Sequence, residues 1–210
     1  MILRRLSGSG EQPRGRLAAV FAILVMAILI ISGCAGGPPQ TPSTIRSMDD
    51  QSLNPGLSVL YFNRFVRHVG QLPEGKSAER AGRVGAPIPM LDHRFGKGEV
   101  FGSGRSRGVG LQLTGFIRFD APGEYVLKAR SNDGIRLYIN GQMIFEDPTV
   151  HSDRFSPEGS VQVTTAGWYP LLIQYFQRKG TATLELYWQI PGADGFKIIP
   201  AEAYAHPKTL

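Results

Sequence analysis

The sequence predicts an all-β domain, a sandwich or a barrel, behind a signal peptide and a flexible linker. Three observations carry this prediction. The 210 residues include 26 glycines and 15 prolines, and such punctuation suits short strands joined by turns rather than a helical bundle. From Gly110 onward, apolar and polar residues alternate with a period of two, and no stretch has a convincing helical period. Ahead of this region the chain is first basic, then continuously apolar, then rich in Gly, Pro, Ser and Thr.

Composition narrows the class. Hydrophobic residues at 42% and charged residues at 19% supply a core and exclude a wholly disordered chain. The single cysteine, Cys34, excludes a disulfide framework or a thiolate metal cluster within one chain. The formal net charge is +6. Arg4, Arg5, Arg14 and Arg16 against Glu11 place half of it in the first 34 residues. The rest is mildly basic and implies no nucleic-acid partner.

The N-terminus reads as an address. Residues 1–16 are polar and arginine-bearing, and residues 17–31 read LAAVFAILVMAILII. A basic segment before an apolar run of this length is a secretory signal. The run falls short of the ~20 residues a spanning helix needs. It ends in Ile31, Ser32, Gly33 and Cys34, which resembles the bacterial lipobox. There, small residues fit the peptidase and the cysteine sulfur takes the diacylglycerol. The expectation is cleavage before Cys34 and acylation of its sulfur, with an uncleaved apolar anchor as the plainer alternative. The acyl chains would give a firm membrane anchor. Ala35, rather than Asp, follows the cysteine, resembling the outer-membrane sorting signal of Gram-negative lipoproteins. Residues 35–54 have almost no apolar side chains and read as a tether. The expected divisions are therefore 1–33 signal peptide, 34–54 acylated cysteine and linker, and 55–210 β domain.

Within the domain, residues 57–62 (LSVLYF) form the first strand-like run. Residues 64–108 hold nine basic and four acidic side chains, many glycines and no clean period. They read as long loops with a short strand near 88–91. Then Leu111, Leu113, Ile117 and Phe119 share one face. The turn DAPG at 120–123 follows. Tyr125, Leu127 and Ala129 alternate next, then Ile135, Leu137 and Ile139. Asn140 and Gly141 form the preferred hairpin pair, since both positions must accept positive φ. Val161 and Val163 mark a further strand. The last two long runs place Tyr169, Leu171, Ile173 and Tyr175, then Leu184, Leu186 and Trp188, on single faces. Trp168 and Trp188 read as core. Tyr138, opposite Leu137 in the alternation, is the better candidate for an exposed aromatic.

In order, the segments GLSVLYF, LTGFIRFDAPGEYVLKARSNDGIRLYINGQMIF, TTAGWYPLLIQYFQRKGTATLELYWQIPG and IIPAEAYAHP resemble the PA-fourteen (PA14) domain, the module named after bacterial protective antigen. The resemblance runs over about 56–207 and is poor at 64–108 and 147–157. It implies an antiparallel β-sandwich of a kind found in lectin-like adhesins, glycosidases, toxins and surface proteins. In the family's fungal adhesin lectins, two adjacent aspartates joined by a cis peptide hold calcium, which in turn holds sugar hydroxyls. Here the corresponding residues are Asn132, Asp133 and Gly134. The resemblance thus implies a calcium and glycan site at Asn132, Asp133 and Gly134, and Tyr138, read from the alternation as an exposed aromatic, is a further candidate for ligand binding. One carboxylate is an amide, so calcium binding is expected to be weak at most. Glu146, Asp147 and Asp153 are candidates to compensate. Residues 131–134 read equally as a plain turn, since Asn, Asp and Gly are turn formers.

Enzyme motifs are weak. Residues 70–77 (GQLPEGKS) match the P-loop letters, but no parallel-sheet pattern surrounds them and a long helix does not follow. Neither nucleotide nor catalysis is expected. His68, His93, His151 and His206 lack metal spacing. The functional expectation is a lipid-anchored, non-catalytic binding module of the bacterial cell envelope, attached to the outer membrane and directed at carbohydrate. The alternative is a structural or protein-interaction accessory lipoprotein with an envelope protein partner.

Overall fold

Strands form where alternation was strongest. The computed structural model describes residues 52–208. The signal segment, Cys34 and the linker up to residue 51 lie outside the described residues. In chain order the described elements are β1 (Leu53–Pro55), β2 (Ser58–Asn63), α1 (Gly75–Ala81), β3 (Arg83–Val84), β4 (Asp92–Gly96) and β5 (Val109–Phe119). Then come β6 (Gly123–Asn132), β7 (Ile135–Ile139), β8 (Gln142–Asp147), β9 (Arg154–Phe155) and β10 (Gly159–Val163). The last are β11 (Gly167–Gln177), β12 (Ala182–Gln189), β13 (Lys197–Ile198) and β14 (Tyr204–Pro207).

Two antiparallel sheets make a sandwich. The first runs β1-β14-β5-β11-β7-β8, with β2 also beside β5 and β3 beside β2. The second runs β10-β6-β12-β13, with β4 beside β12 and β9 beside β6. The expected inward rows face each other. Leu111, Leu113, Ile117, Ile135, Leu137 and Ile173 of the first sheet meet Leu127, Ala129, Leu184 and Leu186 of the second, all buried in one cluster. Each large aliphatic side chain there contributes roughly 1.5–3 kcal/mol by leaving water. Trp168 is buried. Trp188 is half-buried and leans on Phe119 and Tyr125.

Two glycine positions matter for the framework. One edge of β5 serves two partners: β2 pairs along Val109 to Thr114, and β14 at Phe116 and Ile117. At Gly115, between them, a Cβ would collide with the Ala205 carbonyl. Asn140 and Gly141 both have positive φ, 52° and 76°, as the β7–β8 hairpin demands.

Residues 64–108 differ from expectation. The short strand is not at 88–91 but at Asp92–Gly96, where it pairs with β12. Pro87 and Pro89 lack the N–H a ladder needs, so Ile88 makes only an isolated bridge to Leu57. The segment also contains a helix, α1. It buries only Ala78 and is held at its start by the Glu74 N–H donating to Ser77 Oγ. Two turns with one buried residue leave no period to read. A second small core sits here: Phe62, Val66, Val69, Leu72, Ala78 and Phe176. Phe62 and Phe176 flank Gly110 across β2, β5 and β11, on the face opposite the inward row. Residues 66–81 therefore cover one end of the first sheet's outer face.

Candidate functional site

Strand β7 has a polar cluster at each end. At its start is the loop of Asn132, Asp133 and Gly134, which carries the chain from the second sheet to the first. The Asn132-Asp133 peptide bond is cis. A Cβ on Gly134 would collide with the Phe176 ring and the Pro148 backbone, so only glycine fits. Both aspartate and asparagine are buried, at 2% and 6% exposure.

Most of their polar atoms have partners within the chain. Asp133 Oδ1 accepts from the His151 backbone N–H at 3.2 Å, and Oδ2 from that of Arg178 at 2.6 Å. The Asn132 amide nitrogen donates to Asp153 Oδ1 and to Thr181 Oγ1, both at 3.0 Å. Asp153 Oδ2 accepts from Thr183 at 2.8 Å. The Tyr175 hydroxyl donates to the Asn132 carbonyl at 2.5 Å. Burial pushes the Asp133 carboxyl above its ordinary value, partly offset by the two backbone N–H groups. Burial, with the Asp133 and Asp153 charges, pushes the Tyr175 phenol well above its own, so it stays a donor.

These residues do not fit calcium as they are arranged. The ion wants six to eight oxygens. Asn132 presents its nitrogen toward Asp153, and each Asp133 oxygen takes one N–H, so the loop does not gather that many oxygens around one point. Among the described residues no group of three or more His, Cys, Asp or Glu is placed to hold a metal. The other acidic candidates are engaged separately. Glu146 pairs with Arg136 at 2.8 Å, and Asp147 pairs with Arg154 through both oxygens. Only Asp153 reaches the loop. The cluster works as a tie between β6, β11, β12 and the 148–153 segment.

Tyr138 belongs to a different place. It lies on the outer face of the first sheet, in a groove of about 510 Å³. Register sets two rows on this face, of which Gln112, Gln174, Thr114, Leu172 and Tyr138 line the groove. Gln112, Gln174 and Arg136 lie opposite one another across β5, β11 and β7. Thr114, Leu172 and Tyr138 form the next row. Glu74 and Gly75, at the start of α1, make one wall, and Gly141 and Pro170 the far rim. Arg136 lies between two carboxylates, Glu146 at 2.8 Å and Glu74 at 3.6 Å. Burial opposes its charge, but bonds to Glu146 and the Tyr138 hydroxyl more than offset this and raise its pKa.

Comparison with known proteins agrees with this framework. Residues 99–202 match the model of the PA14 domain. The chain carries a PA14 domain. It is similar in fold to the PA14 sugar-binding domain from an RTX adhesin, at 20% identity and a TM-score of 0.58, over 72% of this chain and 98% of that one. It is also similar to the epithelial adhesin 9 A domain of Candida glabrata, solved with Galβ1-4GlcNAc, at 10% identity and a TM-score of 0.59, over 77% and 93%. An anti-sigma factor domain-containing protein from Clostridium clariflavum matches at 21% identity and a TM-score of 0.59, over 75% of this chain. The chain spans about half (49%) of that protein's length. No curated protein matches the chain.

Within this PA14 domain, the expected site residues separate into two groups. Asn132, Asp133 and Gly134 are together and buried, whereas Tyr138 is in the open groove. Sequence reasoning missed Gln112, Gln174, Arg136 and Glu74. Outward polar residues on a strand read as solvated surface, and only the tertiary placement of residues 66–81 turns that surface into a groove.

Proposed function

We propose that this protein is a lipid-anchored, non-catalytic carbohydrate-binding module of the bacterial cell envelope, held at the outer membrane through Cys34. The observation that carries the reading is the groove around Tyr138. It sets an aromatic face beside amides, a threonine hydroxyl and the Glu74 carboxylate, and its size suits a small ligand. The sugar-binding domain of the RTX adhesin, with the same fold, supports the reading. Calcium contributes weakly at most, because an amide stands where a second carboxylate would add charge.

A glycan array probed with the protein, with and without chelator, tests this function. Binding to a defined set of envelope or extracellular polysaccharides is expected. Binding to none would reject it. Metabolic labelling with a fatty-acid analogue tests the anchor: label is expected on the native protein and is lost in Cys34→Ser. An uncleaved, unmodified N-terminus by intact mass would reject that part.

One observation favours a second reading, an accessory lipoprotein that binds another envelope protein. On the other sheet, Phe155 is 50% exposed, packs edge-on against Tyr187, and shares Lys128 with Phe196. Co-purification of one envelope protein, lost in Phe155→Ser, would support it.

A further inference from the structure

We propose that the groove on the outer face of β5, β11 and β7 selects uncharged pyranose units over uronic acids, with Tyr138 as the stacking platform and Gln174 as the acceptor at the floor. The proposal rests on the carbohydrate reading and adds the ligand class and the residues that set it.

Three features point to a neutral sugar. The first is charge. Arg136 would be the natural partner of an anionic sugar, but it is already engaged by Glu146 and Glu74. Of the residues that line the groove only Glu74 is charged, so a uronate entering here meets repulsion with no cation in the lining. The second is Gln174. Its side chain is only 1% exposed. Its amide nitrogen donates to Glu74 Oε1 at 3.3 Å, which fixes the orientation of the amide, since the oxygen turned that way would face a carboxylate. Its Oε1 is buried without a hydrogen-bond partner. An unpaired buried acceptor is a standing cost that an incoming hydroxyl relieves. The Glu74 side chain beside it is 60% exposed.

The third feature is the aromatic. Tyr138 is half-buried beside Arg136 on the same face of β7, so its ring has less freedom to lose on binding than a fully exposed one. The C–H bonds on one face of a pyranose carry partial positive charge and match the negative face of the ring. Beside it Leu172 and Pro170 supply an apolar strip, while Gln112 and Thr114 offer polar atoms at the edge. A flat ring with apolar faces and polar edges fits this arrangement.

The test uses the full chain in a sugar-free detergent, titrated with neutral pentasaccharides (cellulose, laminarin, maltose and chitin types) and with an alginate pentasaccharide. At least one neutral ligand is expected to bind, with the alginate at least tenfold weaker. Tyr138→Ala should weaken the neutral ligand about tenfold, and Gln174→Leu about fivefold. Glu74→Gln should narrow the gap to alginate. Thermal melts identify any variant that fails to fold, and Tyr138→Phe, which keeps the ring, retains most binding. If neutral ligands bind but Tyr138→Ala and Gln174→Leu leave affinity unchanged, the groove is not the site, although the carbohydrate reading survives. Alginate binding as tightly as the neutral ligands overturns the selectivity. If nothing binds, both the groove and the carbohydrate reading fall.

Discussion

Both ends of β7 carry polar side chains, but they spend them differently. At the Asn132 and Asp133 end, donors and acceptors meet one another under cover, and four segments of the chain are tied together. At the Tyr138 end, the polar groups face outward, one buried amide oxygen has no partner, and the ion pairs leave a carboxylate in excess. The first arrangement ties the sandwich together. The second adds little to folding and has free valence to offer. The lesson is that a sequence motif marks a position. Whether that position binds anything depends on whether its polar atoms are already satisfied.

Substitutions should separate the two ends. The largest effects are expected at the loop: Asp133→Ala leaves two part-buried backbone N–H groups without their acceptor; stability should fall by about 2 kcal/mol in urea unfolding. Gly134→Ala should lose about 2 kcal/mol, because the new methyl meets the Phe176 ring and the Pro148 backbone. An unchanged unfolding midpoint for either would mean that the loop is not the tie described here. By contrast, Tyr138→Ala should cost about 1 kcal/mol or less while losing ligand.

Asn132→Asp sharpens the contrast by changing one atom type. It removes the donor to Asp153 and places a second carboxylate beside it, so stability in chelator should drop by about 2 kcal/mol. Calcium should restore part of that loss, since added ligand charge raises affinity. Calorimetry showing equal calcium affinity in the native protein and the variant would contradict the account of Asn132.

Acid titration gives a smaller effect with a definite sign. The folded Asp133 carboxyl sits above its ordinary value of 3.8. Such a group favours folding at low pH and loses that contribution as pH rises through the folded value. The native protein should therefore gain stability relative to Asp133→Asn as pH falls through the raised folded value, levelling off below 3.8. Urea unfolding from neutral to about pH 3 reads this difference. A gap that shrinks on acidification would mean that the two backbone donors outweigh burial.

Much of the sandwich was legible because β5, β6, β7, β11 and β12 each turn a row of apolar side chains to the shared core, and alternation records that directly. The Asn140 and Gly141 turn was legible for the same local reason. The 64–108 region was not. His93 and Phe95 of β4 point inward between Asp92 and Arg94, but the run is short, ends at a glycine and pairs with β12 through a register shift. The loop at Asn132 was legible as a position, while its partners Asp153, Thr181 and Thr183 come from distant segments with no local signal. The groove was almost invisible apart from Tyr138, because Glu74 reaches Gln174 across 100 residues of sequence.

The most direct measurement is the affinity of the native protein and of Tyr138→Ala for a glycan taken from the array, each in calcium and in chelator. The account predicts that chelator changes native affinity by less than about threefold, because the Asn132 end is closed without an ion, and that Tyr138→Ala lowers it about tenfold in either buffer. Binding abolished by chelator and untouched by Tyr138→Ala would place recognition at the Asn132 and Asp133 loop and contradict the account.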